Sequence, residues 1–113
     1  MFLFYTGKPQ RPHSPLISNI GATELTVTWT KPDCDGRVPI RGYSLEYKVA
    51  SSRDWIKVKT GDPKFNVTDL KENTKYHFRV AAENKIGRGP FSEESDVHNT
   101  LGITSVDFAP IST

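Results

Sequence analysis

Between Leu16 and about Thr100, short runs of the sequence alternate apolar and polar residues one by one. Leu25, Val27 and Trp29 alternate with Thr26, Thr28 and Thr30, and Tyr43, Leu45 and Tyr47 with Ser44, Glu46 and Lys48. Phe65 and Val67 alternate with Asn66 and Thr68, and Tyr76, Phe78, Val80 and Ala82 with His77, Arg79, Ala81 and Glu83. Successive side chains of a β-strand point to opposite faces, so each run predicts a strand with one apolar and one wet face. Their β-branched and aromatic residues suit a pleated, half-buried surface. No stretch repeats its apolar residues at the three- and four-residue spacing of an amphipathic helix. Turn chemistry separates the runs at Asp35-Gly36, Gly61-Asp62-Pro63 and Gly87-Arg88-Gly89-Pro90. Strands are expected at about 16–20, 25–30, 40–48, 55–59, 64–69, 75–83 and 94–100. Seven short strands of this kind predict an all-β antiparallel sandwich.

Proline marks the upstream boundary. Lys8-Pro9-Gln10-Arg11-Pro12-His13-Ser14-Pro15 cannot continue a helix or a central strand and reads as an extended, semi-rigid linker. The expected organisation is therefore an N-terminal extension and linker at 1–15, a sandwich at 16–100, and a tail or second linker at 101–113. The start, Met1-Phe2-Leu3-Phe4-Tyr5, lacks a basic head and is too short for a secretory signal. It reads as flanking sequence, with an extra edge strand as the alternative. The tail holds Val106 and Phe108 without a sustained pattern.

Composition narrows the function classes. At 113 residues the chain has room for one core. Its 15 basic and 13 acidic side chains leave a net charge of +2, too weak to argue for nucleic acid as a partner. No apolar run approaches the roughly 20 residues of a membrane-spanning helix, so direct membrane insertion is not expected. The lone Cys34 cannot form an internal disulfide, and the core must carry the stability.

Several residues together carry a family resemblance. Prolines precede the first strand, and Trp29 in the second is followed by Lys31-Pro32 and Asp35-Gly36. Pro39-Ile40-Arg41-Gly42-Tyr43-Ser44-Leu45-Glu46-Tyr47 looks like a third strand, and Leu70 stands six residues before Tyr76. Phe78-Arg79-Val80-Ala81-Ala82-Glu83-Asn84 and a glycine-rich loop complete the order. From about Pro9 to Thr100 the chain resembles a fibronectin type III domain, which implies an immunoglobulin-like seven-stranded antiparallel sandwich. The expected core is Trp29, Tyr43, Leu45, Tyr47, Leu70, Tyr76, Phe78 and Val80. Trp29 reads as its keystone, with an N–H that needs an acceptor. Tyr76 reads as a tyrosine corner whose hydroxyl returns to the backbone near Leu70 or Glu72.

Residues for catalysis are scarce. His13, His77 and His98 have no histidine at metal-ligand spacing, and one cysteine cannot build a zinc site. Asp33-Cys34-Asp35-Gly36 lacks the regular acidic positions and closing glutamate of a calcium loop. Gly87-Arg88-Gly89-Pro90 is no phosphate loop. The reading is a non-enzyme without metal or cofactor.

Three surfaces are candidates for binding. The loop Asn84–Gly89 offers Lys85 and Arg88. In some extracellular relatives this loop carries Arg-Gly-Asp, but here Arg88-Gly89 is followed by Pro90, so integrin recognition is not carried over. The second candidate is the wet face of Ser44, Glu46, Lys48, Lys57, His77 and Arg79. It reads either as a ladder of cross-strand ion pairs or as a docking face for an acidic partner. The third is Asn66-Val67-Thr68, a formal N-glycosylation acceptor in any secreted chain.

Within the family, Asp35 to Tyr43 and Phe78 to Asn84 are most similar to type III modules of the muscle giants titin, twitchin and myosin-binding protein C. That resemblance implies a cytoplasmic, sarcomeric or cytoskeletal module with immunoglobulin or type III neighbours and a filament or other protein partner. The alternatives are an ectodomain module of a cell-surface adhesion receptor of the immunoglobulin superfamily, on the extracellular side of the plasma membrane, and an accessory module of a kinase or phosphatase.

Overall fold

The alternating runs pair antiparallel into two sheets. The computed structural model describes residues 7–96 and 98–102; the expectations for Met1–Tyr5 and for Val106 and Phe108 fall outside them. Strands β1 (Leu16–Ser18), β2 (Leu25–Thr28) and β5 (Lys64–Val67) form one sheet in the order β1-β2-β5. The other sheet holds β3 (Gly42–Val49), β4 (Ile56–Thr60), β6 (Lys75–Asn84), β7 (Gly87–Arg88) and β8 (His98–Asn99). In it β4 lies at one edge, β3 and β6 follow, and β7 and β8 both pair with β6 as two pieces of one interrupted strand. The eight elements thus occupy seven strand positions of an immunoglobulin-like sandwich, with no helix among the described residues.

Register puts the apolar residues of both sheets face to face. Leu45 stands opposite Val80 and Tyr47 opposite Phe78 across β3 and β6, while Leu25 stands opposite Val67 across β2 and β5. Trp29, Tyr43, Leu45, Tyr47, Leu70, Tyr76, Phe78 and Val80 are all buried, together with Leu25, Val27, Val67 and Ala82. Trp29 meets Tyr43 edge to face, with ring centroids 5.5 Å apart. Its Nε1 is buried without a hydrogen-bond partner among the described residues, unlike the acceptor-bound indole expected from sequence. Tyr76 does form a corner: the Lys71 N–H donates to its hydroxyl at 2.9 Å, between the two positions expected.

The last strand differs most from expectation, because its hydrogen bonds leave the period of two. Gly89, Ser92 and Ser95 donate their N–H groups to the carbonyls of Ala82, Val80 and Phe78. Three residues on one side therefore match two on the other, as in successive bulges. In return, the Val80 and Phe78 N–H groups donate to the hydroxyls of Ser92 and Ser95, each at 3.0 Å. Serine side chains replace the backbone acceptors that a regular ladder would offer. Pro90, with no N–H, fits only in such an interrupted edge. A two-residue alternation rule has no way to see a three-to-two match.

The proline-rich segment read as linker is packed on the sandwich at residues 7–12. Gly7 N–H donates to the Gly36 carbonyl and Gln10 N–H to the Cys34 carbonyl, both at 3.0 Å. Pro9 and Pro12 are buried. The approach is possible because Gly36 and Gly89 lack side chains: a Cβ on either would overlap the carbonyl oxygen of Gly7 or Pro9 respectively. Gly36 also adopts a φ of 79°. We call this segment the strap.

Candidate functional site

On the outer face of the four-stranded arrangement, residues that alternation assigned to water are largely covered. Glu46 stands opposite Lys57 on β4 and Arg79 on β6. It accepts hydrogen bonds from Arg79 Nη2 at 2.7 Å and Nε at 3.1 Å, and its side chain is only 4% exposed. Arg79 Cζ lies 4.0 Å from the centre of the Trp55 ring and 4.2 Å from that of Phe91. Planar guanidinium suits this arrangement, since its edge bonds a carboxylate while its faces meet aromatic rings. Lys48 Nζ donates to the Ser52 carbonyl at 3.0 Å and lies 5.3 Å from the Trp55 ring. His77 Nδ1 lies 3.4 Å from the Ser95 carbonyl oxygen and 3.8 Å from Glu94. Ser44 is buried as well.

The Glu46–Arg79 contact is a cross-strand ion pair of the kind expected for this face. Glu46, Arg79, Lys48 and His77 are engaged within the domain, with Trp55 against Arg79 and Lys48 and Phe91 against Arg79. Lys57, in contrast, is exposed and makes no ion pair among the described residues. The sequence did carry a signal for the two missed aromatics. Trp55 opens a basic strand, and Phe91 follows Gly89-Pro90, next to the bulged edge. Neither belongs to an alternating run, so the rule that found the core passed over both.

At the end of the sandwich near the strap, Asn84 organises three segments. Fully buried, it donates from Nδ2 to the carbonyls of Gly7 at 2.8 Å and Asp35 at 3.0 Å. Its Oδ1 accepts the N–H groups of Ile86 at 2.8 Å and Gly87 at 3.2 Å. The Asn84–Gly89 stretch is accordingly a tight hairpin between β6 and β7, with Asn84 opposite Gly87 and Glu83 opposite Arg88. Lys85 is exposed at its tip. Arg88 is exposed and stacks on Phe91 at 4.5 Å.

Asn66 lies on the opposite sheet, exposed on β5, where its Oδ1 accepts the Thr26 hydroxyl at 3.0 Å. Lys57, Arg88 and Lys85 therefore remain on the surface, while Asn66 is separated from them by the core. Among the described residues no group of three or more His, Cys, Asp or Glu side chains is placed to hold a metal ion. Burial pushes the Tyr43 and Tyr47 phenols above their ordinary value of 10.0, and for Tyr47 the Tyr76 and Asp69 groups add to the rise. These are core tyrosines, and the shift marks their packing.

Two sheets in this strand order, a tyrosine corner and a buried strand-two tryptophan meet a family profile described as "Fibronectin type III domain", which matches residues 8–98. The chain belongs to the fibronectin type III family. M-protein of striated muscle from Gallus gallus is 34% identical to this type III domain over 92 residues, covering 79% of the chain and 6% of the relative. The cell adhesion molecule DSCAML1 of Mus musculus is 34% identical over 79 residues, covering 68% of the chain and 4% of the relative. A crystal structure of titin domains superposes with a TM-score of 0.80 at 31% identity, over 84% of this chain and 33% of that one. The type III domain thus spans only a few per cent of the length of these curated relatives. Type III domains are, as a class, non-catalytic structural modules. The match begins at Lys8, inside the strap, in keeping with the strap's packing on the sandwich.

Proposed function

We propose that this type III domain is a non-catalytic spacer and docking unit in a long cytoplasmic chain of the sarcomeric type. Its neighbours are immunoglobulin or type III domains and its partner is a filament protein. The working unit is the sandwich at 16–100 with the strap at residues 7–12 laid on it.

The strap carries this reading. A free linker leaves the preceding domain to swing, whereas Gly7 and Gln10 are bonded to the Gly36 and Cys34 carbonyls and Gly7 is also held by Asn84. The chain is thereby given a defined direction of entry, which suits a spacer that orients its neighbours. Similarity to M-protein and to titin domains supports the sarcomeric setting. The test is small-angle scattering on the stretch of the parent protein that holds this domain with its flanking domains. A narrow distribution of overall lengths that broadens in Asn84→Ala is expected. An equally broad distribution in both would refute the spacer role.

A second reading, an ectodomain module of an adhesion receptor, is favoured by the exposed Asn66 in Asn66-Val67-Thr68 and by the similarity to DSCAML1. Antibody staining of the parent protein separates the two. Labelling only after permeabilisation supports the cytoplasmic reading, and labelling of intact cells supports the receptor.

A further inference from the structure

We propose that the outer face of the β4-β3-β6 sheet carries a docking trough for an acidic, extended polypeptide segment, held between Lys57 on one rim and Lys8 and Arg88 on the other. The proposal deepens the docking role above and rests on it.

Two shallow depressions on this face adjoin over Glu46, Lys57 and Arg88. Their walls carry six basic side chains, Lys8, Arg53, Lys57, Lys59, Arg79 and Arg88. Only three acidic ones oppose them, Glu46, Asp54 and Glu83, which leaves a surplus of three. The whole chain carries +2, so everything outside the trough is slightly acidic in sum. Positive charge is therefore concentrated here, although the chain as a whole is close to neutral.

The surplus is also placed where a ligand could reach it. Arg79 is neutralised by Glu46 on the floor, and Lys59 pairs with Glu83 at 3.3 Å. Lys8, Arg53 and Lys57 make no ion pair among the described residues, and Arg88 has an aromatic face as its described partner. Neutral floor and cationic rims attract an anionic chain along the trough without burying an unpaired charge. The trough also has an apolar wall at Ile86, which is 50% exposed. A segment mixing acidic with aliphatic side chains meets both the rims and this apolar lining. A sulfated polysaccharide would engage the cations and leave Ile86 uncovered.

The experiment uses the 113-residue chain and a short fluorescein-labelled peptide alternating glutamate with isoleucine and threonine, read by fluorescence anisotropy at low salt. Binding is expected, and Lys57→Glu/Arg88→Glu should weaken it about tenfold or more. Lys8→Glu alone should weaken it severalfold. Lys64→Glu, on exposed β5 of the other sheet, should leave it unchanged, and thermal melts confirm that each variant folds. Unchanged affinity in the double variant overturns the proposal. So does equal weakening by Lys64→Glu, which would show diffuse attraction, or equal binding of a peptide with lysine in place of glutamate. Binding of heparin with no binding of the peptide also overturns it and assigns the face to polyanionic sugar. None of these failures touches the spacer reading, which stands or falls on the scattering measurement.

Discussion

Replacing Asn84 by alanine removes one buried amide and four hydrogen bonds. Two ran from Nδ2 to the Gly7 and Asp35 carbonyls and two from the Ile86 and Gly87 N–H groups to Oδ1. A hydrogen bond contributes about 0.5–1.5 kcal/mol net, and a buried group left unpaired costs about 1–3 kcal/mol. Asp35 and Ile86 are exposed, so water can take over much of what they lose, whereas Gly7 is buried and its carbonyl is stranded. The expected loss is about 3–4 kcal/mol, a large share of the roughly 5–15 kcal/mol that holds a domain together. For a domain of this size it corresponds to a fall in Tm of roughly 15–25 °C. Urea unfolding gives the free energy, and hydrogen exchange tells where it went. Protection of the Gly7 and Gln10 amides should collapse well before that of β3 and β6, because the strap loses its side-chain anchor while the core is untouched. A loss under about 1 kcal/mol, with both strap amides still protected, would refute the assignment of Asn84 as the organiser of this end.

Three further outcomes follow from the same structure. Ser92→Ala and Ser95→Ala each leave a buried N–H, on Val80 and Phe78, without its hydroxyl acceptor, and each should cost about 1–3 kcal/mol in urea unfolding. Arg79→Ala leaves Glu46 buried without its partner and should cost about 3 kcal/mol, while Glu46→Gln in the same chain should recover part of it. Trp55 fluorescence should shift in Arg79→Ala, since the ring loses the nearer of the two cations beside it. Finally, Tyr43 and Tyr47 hold their protons more tightly folded than unfolded. Their contribution is fully present below the ordinary tyrosine value of 10.0 and is lost as pH rises through the higher folded values. Thermal melts between pH 8 and about 11 should show Tm falling above about pH 10, and Tyr47→Phe should flatten the decline.

The core was legible because burial in a sandwich obeys a local rule. Tyr43, Leu45 and Tyr47 face inward for the same reason that Ser44, Glu46 and Lys48 face outward, and that reason acts within one strand. The tyrosine corner was legible through the family resemblance, which the spacing of Leu70 and Tyr76 helps to carry. The outer face was not. Whether Glu46 meets water or an arginine depends on the register of β3 against β6, and the two residues lie 33 apart in sequence. Trp55 and Phe91 then arrive from outside the alternating runs and convert a solvated ladder into a covered ion pair. The packing of the strap was hidden from local patterns for a related reason. Its prolines do forbid a central strand, but they do not forbid an extended chain lying along a groove that two distant glycines leave open.

Alternation settled the all-β class and most of the inward set of residues through the two-residue pitch of a strand, and glycine, proline and aspartate chemistry marked the places where the chain turns. Its family resemblance added the seven-strand order. Folding decided everything that joins distant segments: the Arg79 clamp, the serine hydroxyls that bond the edge strand, and the bond from Asn84 to Gly7 across 77 residues. Pairings of this kind arise when strands choose a register and loops meet, and no local pattern records that choice. Of the six cations around the trough, Lys8, Arg53, Lys57 and Arg88 are left without an ion pair among the described residues once those pairings are made.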